Sequence, residues 1–443
     1  MSALAVMLLN RGIKVKGSDL HLSAITENLE RQGVEIVTGE APQFVLQCDA
    51  ILYSGAIKED NADLQYAKML GKKIIKRAEL LGFFSREKKT ISVAGTHGKT
   101  TTTGMISSVL LDCGEDPTIH IGGQLKCIGS NIHVGNGELF VCEACEYQDA
   151  FLSLSNYISV VLNIDEDHLD YFKNFDAIKK SFNQFVGNTC DSGLVVYNYD
   201  ACKDKIDAEV LKKYDTISVG FEDGAMLQAI NISENCGKFS FDVLFKGVNL
   251  ATITLSCIGR HNIYNALACV GVCLFLNLNI EEIVRGLENY QGVERRMEMI
   301  NKSCPLIIHD YAHHPQEISA SLSAIKNISS QKLICVFQPH TFTRTLALYN
   351  EFLECFGMCD EVWLLPIYPA REKEIEGVSS QKMCEDLKNN AKKSKYFENF
   401  AHCREEILNK KYQDCIFAIL GAGDIENLAR DLEKEFKQKS NDN

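Results

Sequence analysis

One segment of the chain constrains its fold more than any other, because it joins a strand, a glycine-rich loop and a helix start. Residues 91–94 have the pattern of a short buried strand, and residues 95–98 (Gly-Thr-His-Gly) that of a tight loop before a threonine-rich helix. Such a loop lets backbone N–H groups approach phosphate oxygens. Lys99 can then neutralise the β- and γ-phosphates, while the Thr100 hydroxyl can reach Mg²⁺. The segment therefore predicts ATP or GTP binding, with Lys99 in an exposed loop.

The size and charge of the chain limit its class. A chain of 443 residues exceeds what one core normally organises, which favours two or three domains. A net charge of −13 argues against nucleic acid or an anionic membrane as partner. No segment reaches the roughly 20 apolar residues of a membrane span, and residues 1–10 lack the features of an export signal. We therefore expect a cytoplasmic protein with reduced cysteines.

Hydrophobic periodicity predicts α/β architecture in three domains, covering residues 1–87, 88–294 and 295–443. Predicted strands of the first domain are residues 12–18, 33–37, 50–55 and 72–78, with helices at 1–10, 24–32 and 62–70. Alternation of this kind is typical of one parallel sheet. The central domain is predicted to carry antiparallel strands at 216–220, 238–245 and 248–255, then helices at 262–276 and 281–287. Strands of the third domain are predicted at 305–310, 332–338, 361–365 and 415–420.

Two polar groups follow predicted strands of the central domain. Glu143 ends one strand and His168 follows another. Open α/β sheets place their ligand crevice at these strand ends, so both side chains can meet Thr100 around one Mg²⁺. The alternative for either residue alone is a solvated loop side chain.

Further polar groups lie at the start of a helix and at strand ends of the third domain. His261, Asn262 and Asn265 open a helix at helical spacing, and an asparagine amide can read a base edge or simply cap the helix. Asp310, Tyr311 and His313 follow one strand and are predicted to face substrate. Arg344, after the next strand, can bind an anionic group or remain an exposed arginine.

Taken in order, these motifs resemble those of the Mur ligase family. The matching segments, which run over nearly the whole chain, are residues 17–20, 95–100, 143–146, 163–168, 259–262, 310–315 and 337–340. The Asp-Tyr-Ala-His-His-Pro motif and the histidine inside the phosphate loop are similar to the members that act on UDP-N-acetylmuramate and L-alanine. Glu143 stands where later ligases of the family rely on a modified lysine.

The resemblance implies a fold and a reaction. The first domain would be Rossmann-like and bind the UDP-sugar, the central one would be P-loop ATPase-like with a small antiparallel β insert, and the third would be Rossmann-like. ATP, with Mg²⁺, would phosphorylate the carboxylate of UDP-N-acetylmuramate, and the amine of L-alanine would attack the acyl phosphate. These small molecules are the expected partners, and the protein is expected to be a monomer or a weak homodimer.

The resemblance also implies roles for individual residues. The residues with catalytic roles are Lys99, Glu143 and His168, and the metal ligands are Thr100, Glu143 and His168. Nucleotide is assigned to Gly95, Thr96, His97, Gly98, Lys99, Thr100, Thr101, His261, Asn262, Asn265, Arg296 and Asp310. Substrate is assigned to Ser18, Asp19, Ser54, His97, Tyr311, His313 and Arg344.

The sequence departs from the family pattern in two places. Family members carry a strand and a Gly-x-Gly-Gly-x-Gly turn before the position of Met1, so we expect a truncated start that leaves two neighbouring strands unpaired. Thr341 stands where many relatives have arginine.

Two other functions remain open at this point: a ligase that reattaches recycled tripeptide to UDP-N-acetylmuramate, and a silent nucleotide or UDP-sugar binding protein.

Overall fold

The computed structural model describes residues 1–20, 22–55, 57–235, 237–370 and 372–441. These residues form two compact units. Unit 1 consists of Met1–Ile230, Asp242–Ala251 and Tyr264–Asn289, and unit 2 of Asn231–Phe241, Thr252–Ile263 and Tyr290–Asn443. No helix in the described ranges is both long and apolar enough to cross a membrane.

Unit 1 begins with the predicted alternation of helices and strands. Its elements are α1 (Ser2–Leu9), β1 (Lys16–Asp19), α2 (Ala24–Arg31), β2 (Glu35–Thr38), α3 (Pro42–Gln47), β3 (Ala50–Tyr53), α4 (Ala62–Met69), β4 (Lys73–Lys76) and α5 (Arg77–Ser85). The helix starts follow from local chemistry: Asn61 accepts a hydrogen bond from Leu64 N and so caps α4.

The first strands form two sheets rather than one. β1 pairs in parallel with β2, and β3 pairs in parallel with β4. The parallel pairing is as predicted, but the single sheet is wrong, because no described strand joins β1 or β3 on the other side. Among the described residues, each of these two sheets therefore consists of two strands.

The chain continues into a larger sheet. Its elements are β5 (Lys89–Ala94), α6 (Lys99–Asp112), β6 (Thr118–Leu125), β7 (Ser130–His133), β8 (Leu139–Glu143), a 3₁₀ helix (Tyr147–Ser153), β9 (Asn156–Val161), α7 (Leu169–Phe172), α8 (Phe175–Gly187), β10 (Thr189–Asn198), α9 (Tyr199–Cys202), α10 (Ala208–Leu211), β11 (Asp215–Gly220), β12 (Leu227–Asn235), β13 (Lys238–Phe245), β14 (Val248–Ile258), α11 (His261–Phe275) and α12 (Ile280–Glu288). The strand order is β14-β13-β12-β11-β10-β9-β5-β8-β6-β7.

β11 corrects one detail of the prediction. It was grouped with an antiparallel insert, yet it pairs in parallel with both β10 and β12. Side-chain alternation marks a strand but does not encode its direction, which explains the error. β12, which the sequence analysis missed, lies next to β11 in the same sheet.

β5 lies inside unit 1 with a strand on each side. It pairs in parallel with β8 and with β9, so Val93 lies opposite Glu143 and Ala94 opposite Val161. An apolar core covers the sheet and includes side chains from α1 and α5, among them Leu4 and Phe84. The carboxyl ends of the three strands therefore meet on a rigid support.

Unit 2 contains the sheet predicted for the third domain. Its elements are β15 (Glu298–Asn301), β16 (Leu306–Asp310), α13 (Pro315–Lys326), β17 (Lys332–Phe337), α14 (Phe342–Ala347), α15 (Tyr349–Glu354), β18 (Glu361–Leu364), α16 (Ser380–Asn389), β19 (Ser394–Tyr396), α17 (Phe400–Ile407), a 3₁₀ helix (Lys410–Tyr412), β20 (Cys415–Leu420) and α18 (Ile425–Asn441). The order is β15-β16-β20-β17-β18-β19, with β15 antiparallel to β16.

Apolar side chains cover both faces of this sheet. Trp363 of β18 is fully buried on one of them, where its indole Nε1 donates to Glu361 Oε1 at 2.7 Å. The Trp363 ring contacts Phe397, Tyr412 and Phe417. Unit 2 therefore has an aromatic core of its own.

Candidate active site

The loop between β5 and α6 has the geometry of a phosphate cradle. Gly95 has a φ of +147° and Gly98 a φ of +84°, both unfavourable for a residue with a side chain. A Cβ on Gly98 would lie 2.8 Å from Asn265 Oδ1, and a Cβ on Gly95 would lie 3.0 Å from Leu162 Cβ. The two glycines therefore let the backbone of the loop pack closely against Leu162 and Asn265. The loop ends at the first turn of α6, which contains Thr100 and Thr101.

Lys99 is held by the protein rather than exposed, which corrects the prediction. Its side chain is 15% exposed and its Nζ lies 3.0 Å from Glu146 Oε1. Nζ also donates to the backbone oxygens of Gly95 at 2.5 Å and Thr96 at 3.1 Å. Burial acts to lower the pKa of Lys99, but the charges of Glu146, Cys145 and Glu143, together with the hydrogen bond to Glu146, outweigh it, and the pKa is raised. Lys99 is therefore a fixed positive charge at the loop.

Thr100 and Glu143 come together as predicted. Thr100 Oγ1 lies 3.0 Å from each carboxylate oxygen of Glu143, and Gly122 N donates to Glu143 Oε2 at 2.7 Å. The contact arises because β8 runs beside β5 and ends at Glu143, opposite Val93, where β5 leads into the loop. A hydroxyl and a carboxylate at this distance are ligands suited to Mg²⁺.

His168 lies close to the carboxylates of Glu146 and Asp167 rather than to that of Glu143. Its Nε2 is 3.7 Å from Asp167 Oδ2 and 4.0 Å from Glu146 Oε1, and one ligand atom from each residue lies within 4.8 Å of the others. His168 has a φ of +52°, and its ring lies 4.8 Å from that of Tyr147. The structure thus groups His168 with Glu146 and Asp167, while Thr100 contacts Glu143.

Asn163, in the segment that follows β9, anchors the phosphate loop. Its Oδ1 accepts from His97 N at 2.8 Å and its Nδ2 donates to His97 O at 3.1 Å. Thr96 is tied in a similar way, since its Oγ1 accepts from Asp165 N at 2.9 Å. The segment after β9 therefore fixes the loop through backbone contacts.

The substrate residues predicted in the first domain lie near strand ends. Ser18, next to Asp19 at the end of β1, donates to Asp63 Oδ2 at 3.3 Å. Ser54 follows β3, and a Cβ on the adjacent Gly55 would lie 2.7 Å from Gln148 Oε1. The Ser54 segment therefore lies against the 3₁₀ helix that follows Glu146.

Asp310 is bound by its own unit. Its Oδ1 accepts from Ala312 N at 2.9 Å and from Ser321 Oγ at 3.1 Å, and its Oδ2 accepts from Met297 N at 2.7 Å. These bonds fix the turn after β16, which presents Tyr311. A nucleotide-binding role for Asp310 stays a prediction.

A cluster of aromatic rings and arginines, here called the row, lies after the strands of unit 2. Its members are Arg295, Arg296, Tyr311, His313, His340 and Arg344. The guanidinium carbons of Arg295 and Arg296 lie 4.5 Å and 5.2 Å from the centre of the Tyr311 ring. The His313 ring lies 5.3 Å from Tyr311 and 5.8 Å from His340. Aromatic faces attract guanidinium groups, so the row holds positive charge at the strand ends.

The histidines of this row are neutral near pH 7. Burial, with help from His313 and Arg344, lowers the pKa of His340 to about 4. Burial also lowers the pKa of His313, against the opposing charge of Glu317. Arg344 Nη1 lies 3.2 Å from His340 Nδ1, so a neutral His340 can accept from the arginine. The combination fits a carboxylate ligand.

His261 and Asn262 belong to unit 2, whereas Asn265 belongs to unit 1. Asn262 Nδ2 donates to Ile258 O at 2.6 Å, a bond that ties α11 to the preceding strand. Of the three, Asn265 approaches the phosphate loop, through Gly98. Nucleotide-binding roles for His261, Asn262 and Asn265 stay predictions.

Three residues were not singled out by the sequence analysis: Glu146, Asn163 and His340. Each lies within a motif at a strand end, and this position is the signal that could have identified them. Their contacts depend on strand order, which the sequence does not display.

Thr341, where the sequence departs from the family pattern, has a φ of +66° and a ψ of +145°. Its hydroxyl accepts a hydrogen bond from Arg344 N at 3.5 Å and so caps α14.

The chemistry of the loop fits ATP and Mg²⁺. A cradle that a Cβ would fill, an ammonium and a hydroxyl beside a carboxylate match a phosphate chain with a hard cation. Glu146 adds a carboxylate oxygen, Oε2, that is buried without a hydrogen-bond partner in the described part of the chain. The described residues thus bring carboxylate and hydroxyl oxygens together with an ammonium group at the loop.

Comparison with known families covers most of the chain. Residues 1–89 match the Mur ligase family, catalytic domain; residues 93–273 match the Mur ligase middle domain; residues 295–423 match the Mur ligase, glutamate ligase domain. Among solved structures, UDP-N-acetylmuramate-alanine ligase of Thermotoga maritima has a TM-score of 0.83 at 24% identity, over 99% of this chain and 97% of that one. A murein peptide ligase of Psychrobacter arcticus has a TM-score of 0.71 at 22% identity, over 98% and 95%.

Curated relatives are more similar in sequence. The UDP-N-acetylmuramate–L-alanine ligase of Clostridium beijerinckii is 42% identical over 96% of this chain and 93% of its own length. The ligase of the same name from Caldanaerobacter subterraneus is 39% identical over 99% of this chain and 96% of its own length. With three matching domain models and relatives at this identity, the chain belongs to the Mur ligase family.

Proposed function

We propose that this protein joins L-alanine to UDP-N-acetylmuramate at the expense of ATP. The observation that carries the proposal is the phosphate loop with Lys99 fixed at its rim and Thr100 paired with Glu143. Relatives about 40% identical over nearly the whole chain carry the name of this ligase. The product would be a precursor of peptidoglycan.

The first step is a phosphoryl transfer, which depends mainly on positioning and on charge. A carboxylate oxygen of the muramoyl group attacks the γ-phosphorus, and ADP leaves. Backbone amides of the loop and the start of α6 hold the phosphates, while Lys99 donates to a phosphate oxygen. Asn265, whose Oδ1 lies close to Gly98, is proposed to contact the nucleotide as well. Mg²⁺ held by Thr100, Glu143 and His168 would supply further neutralising charge.

The second step is acyl transfer to the amine. The nitrogen of L-alanine attacks the acyl carbon, phosphate leaves, and the nitrogen loses a proton. We assign the carboxylate of L-alanine to the row of unit 2, where Arg344 and Tyr311 offer donors and His313 and His340 are neutral. Ser18, Asp19, Ser54 and His97 are proposed to contact UDP-N-acetylmuramate.

The proposal includes an organisation of the chain. We propose a UDP-sugar-binding domain at residues 1–87, a central ATP-binding domain at 88–294 and a C-terminal domain at 295–443. The working form would be a monomer or a weak homodimer in the cytoplasm, where ATP and UDP-sugars are made. Sedimentation of the purified protein at several concentrations tests the oligomeric state.

Phosphate release by the purified protein tests the function. The assay contains ATP, Mg²⁺, UDP-N-acetylmuramate and L-alanine, and each component is omitted in turn. Release that requires all four supports the proposal. Release with tripeptide but not with L-alanine would instead identify the recycling ligase, and ADP binding without any release would identify a binding protein. Arg344→Ala should raise the KM for L-alanine and leave the KM for ATP unchanged.

A further inference from the structure

Glu146 is buried beside the phosphate loop, and Lys99 is its partner. The Glu146 side chain is 4% exposed and its Oε1 lies 3.0 Å from Lys99 Nζ. Its Oε2 is buried without a hydrogen-bond partner in the described ranges. A buried carboxylate is costly unless it is paired, so the contact with Lys99 stabilises Glu146 in this buried position.

The ammonium group of Lys99 has no donor to spare. An ammonium carries three N–H donors, and three protein oxygens take them: Gly95 O, Thr96 O and Glu146 Oε1. A phosphate oxygen can bind Lys99 only if one of these acceptors gives way. The two carbonyls belong to the backbone of the loop, whereas Glu146 contributes a side chain that can rotate.

Charge favours Glu146 as the acceptor that yields. A phosphate oxygen placed at Lys99 brings negative charge close to the Glu146 carboxylate, and like charges at short range repel. Glu146 has a second contact within reach, because His168 Nε2 lies 4.0 Å from its Oε1. The carbonyls of Gly95 and Thr96 carry no net charge and can stay in place.

We propose that Glu146 is a positioning residue that competes with the terminal phosphate of the nucleotide for Lys99, and thereby limits nucleotide affinity. The inference rests on the proposed function, since it takes the loop to be the nucleotide site. It adds that Glu146, the second glutamate of residues 143–146 (Glu-Ala-Cys-Glu), keeps Lys99 in place and makes nucleotide binding weaker and more easily reversed.

The test compares two glutamate-to-glutamine variants. Glu146→Gln removes the carboxylate charge next to Lys99. The control, Glu138→Gln, removes a carboxylate charge at the other end of β8, where Glu138 lies 3.0 Å from Lys89, the same distance as between Glu146 and Lys99. Binding of a fluorescent ADP is measured without Mg²⁺ and without the other substrates. Glu146→Gln should bind ADP about five- to tenfold more tightly than the unmodified protein, because a charged competitor becomes a neutral one. Glu138→Gln should bind as the unmodified protein does.

Two further readouts separate positioning from a general structural effect. Glu146→Asp keeps the charge but lengthens the contact, so its affinity for ADP should lie between those of the unmodified protein and Glu146→Gln. In the ligase assay, Glu146→Gln should lower the KM for ATP more than it changes kcat. Loss of packing alone would weaken ADP binding.

Unchanged or weaker ADP binding by Glu146→Gln overturns the inference. Should that variant not fold, Glu146→Asp decides alone, and affinity equal to or below that of the unmodified protein overturns it. An unmodified protein that binds no ADP refutes the proposed function and the inference together. An unmodified protein that binds ADP with the same affinity as Glu146→Gln refutes the inference only.

Discussion

Asn163 holds the peptide of His97 on both sides: its Oδ1 accepts from His97 N at 2.8 Å, and its Nδ2 donates to His97 O at 3.1 Å. His97 lies between the two glycines of the phosphate loop, so the Asn163 side chain, two residues after the end of β9, sets the path of the loop. The pair has no charge and depends on geometry alone.

Replacing Asn163 by alanine should therefore weaken nucleotide binding. We expect the Kd for ADP to rise about tenfold, since the lost bonds are each worth about 1 kcal/mol and the loop loses its path. Asn301→Ala is the matched control: Asn301 Nδ2 bonds to the backbone oxygens of Ser303 and Pro305 in unit 2. The control should lower stability without changing the Kd, and an Asn163→Ala protein with unchanged Kd would contradict the anchoring role.

Gly98→Ala should lower stability more than Gly114→Ala does, and of the two variants it alone should lose ADP binding. The two glycines have nearly the same φ, +84° and +82°, but a Cβ on Gly98 meets Asn265 Oδ1 at 2.8 Å whereas a Cβ on Gly114 meets nothing within 4 Å. Gly114→Ala should cost about 1 kcal/mol of stability from backbone strain alone. Gly98→Ala should cost more and abolish ADP binding. Equal losses in urea unfolding, with ADP binding intact in both, would refute the prediction.

Lys88→Met should destabilise unit 1. Lys88 Nζ donates to Thr118 Oγ1 at 2.9 Å and to the carbonyls of Gly135 and Gly137 at 2.7 Å and 2.8 Å. Burial lowers the pKa of Lys88, yet its Nζ donates to three acceptors, and methionine would remove all three bonds. The 3.3 Å bond from Thr118 Oγ1 to Gly135 O would remain. We expect a loss of about 2 kcal/mol in urea unfolding. Lys89→Met, which removes an exposed pair with Glu138, should change little, so similar effects of both variants would count against the prediction.

His340 should make unfolding depend on pH. Burial, His313 and Arg344 lower its pKa from 6.5 to about 4, while Glu372 acts in the opposite direction. Between these values the unfolded chain binds more protons than the folded one, so the free energy of unfolding falls as the pH is lowered from about 6.5 towards 4. His340→Gln should show a smaller fall over this window. The check is urea unfolding at several pH values, and parallel curves for the two proteins would disprove the assignment.

Much of the fold was predictable because buried strands leave continuous apolar runs. β16, β17, β18 and β20 were found close to their observed bounds for this reason. β19, with three residues, is too short to leave such a pattern, and the direction of β11 is a property of the sheet rather than of its own residues.

The candidate site was predictable where its parts are consecutive. The loop and Thr100 lie in one segment, and Glu143 was placed correctly beside Thr100. The pairing of Lys99 with Glu146 was missed, because it depends on β8 lying next to β5 and on the turn that follows Glu143. Sequence spacing carries no information on which carboxylate a distant lysine will select.

The single tryptophan of the chain gives one unit an optical signal that the other lacks. Trp363 is enclosed by three aromatic rings of unit 2, so its emission changes when that enclosure opens. Fluorescence thus follows the melting of unit 2, whereas loss of ADP binding follows the phosphate loop of unit 1. Comparing the two midpoints in one urea titration measures whether the units unfold as one cooperative block or in succession, without a label on the protein.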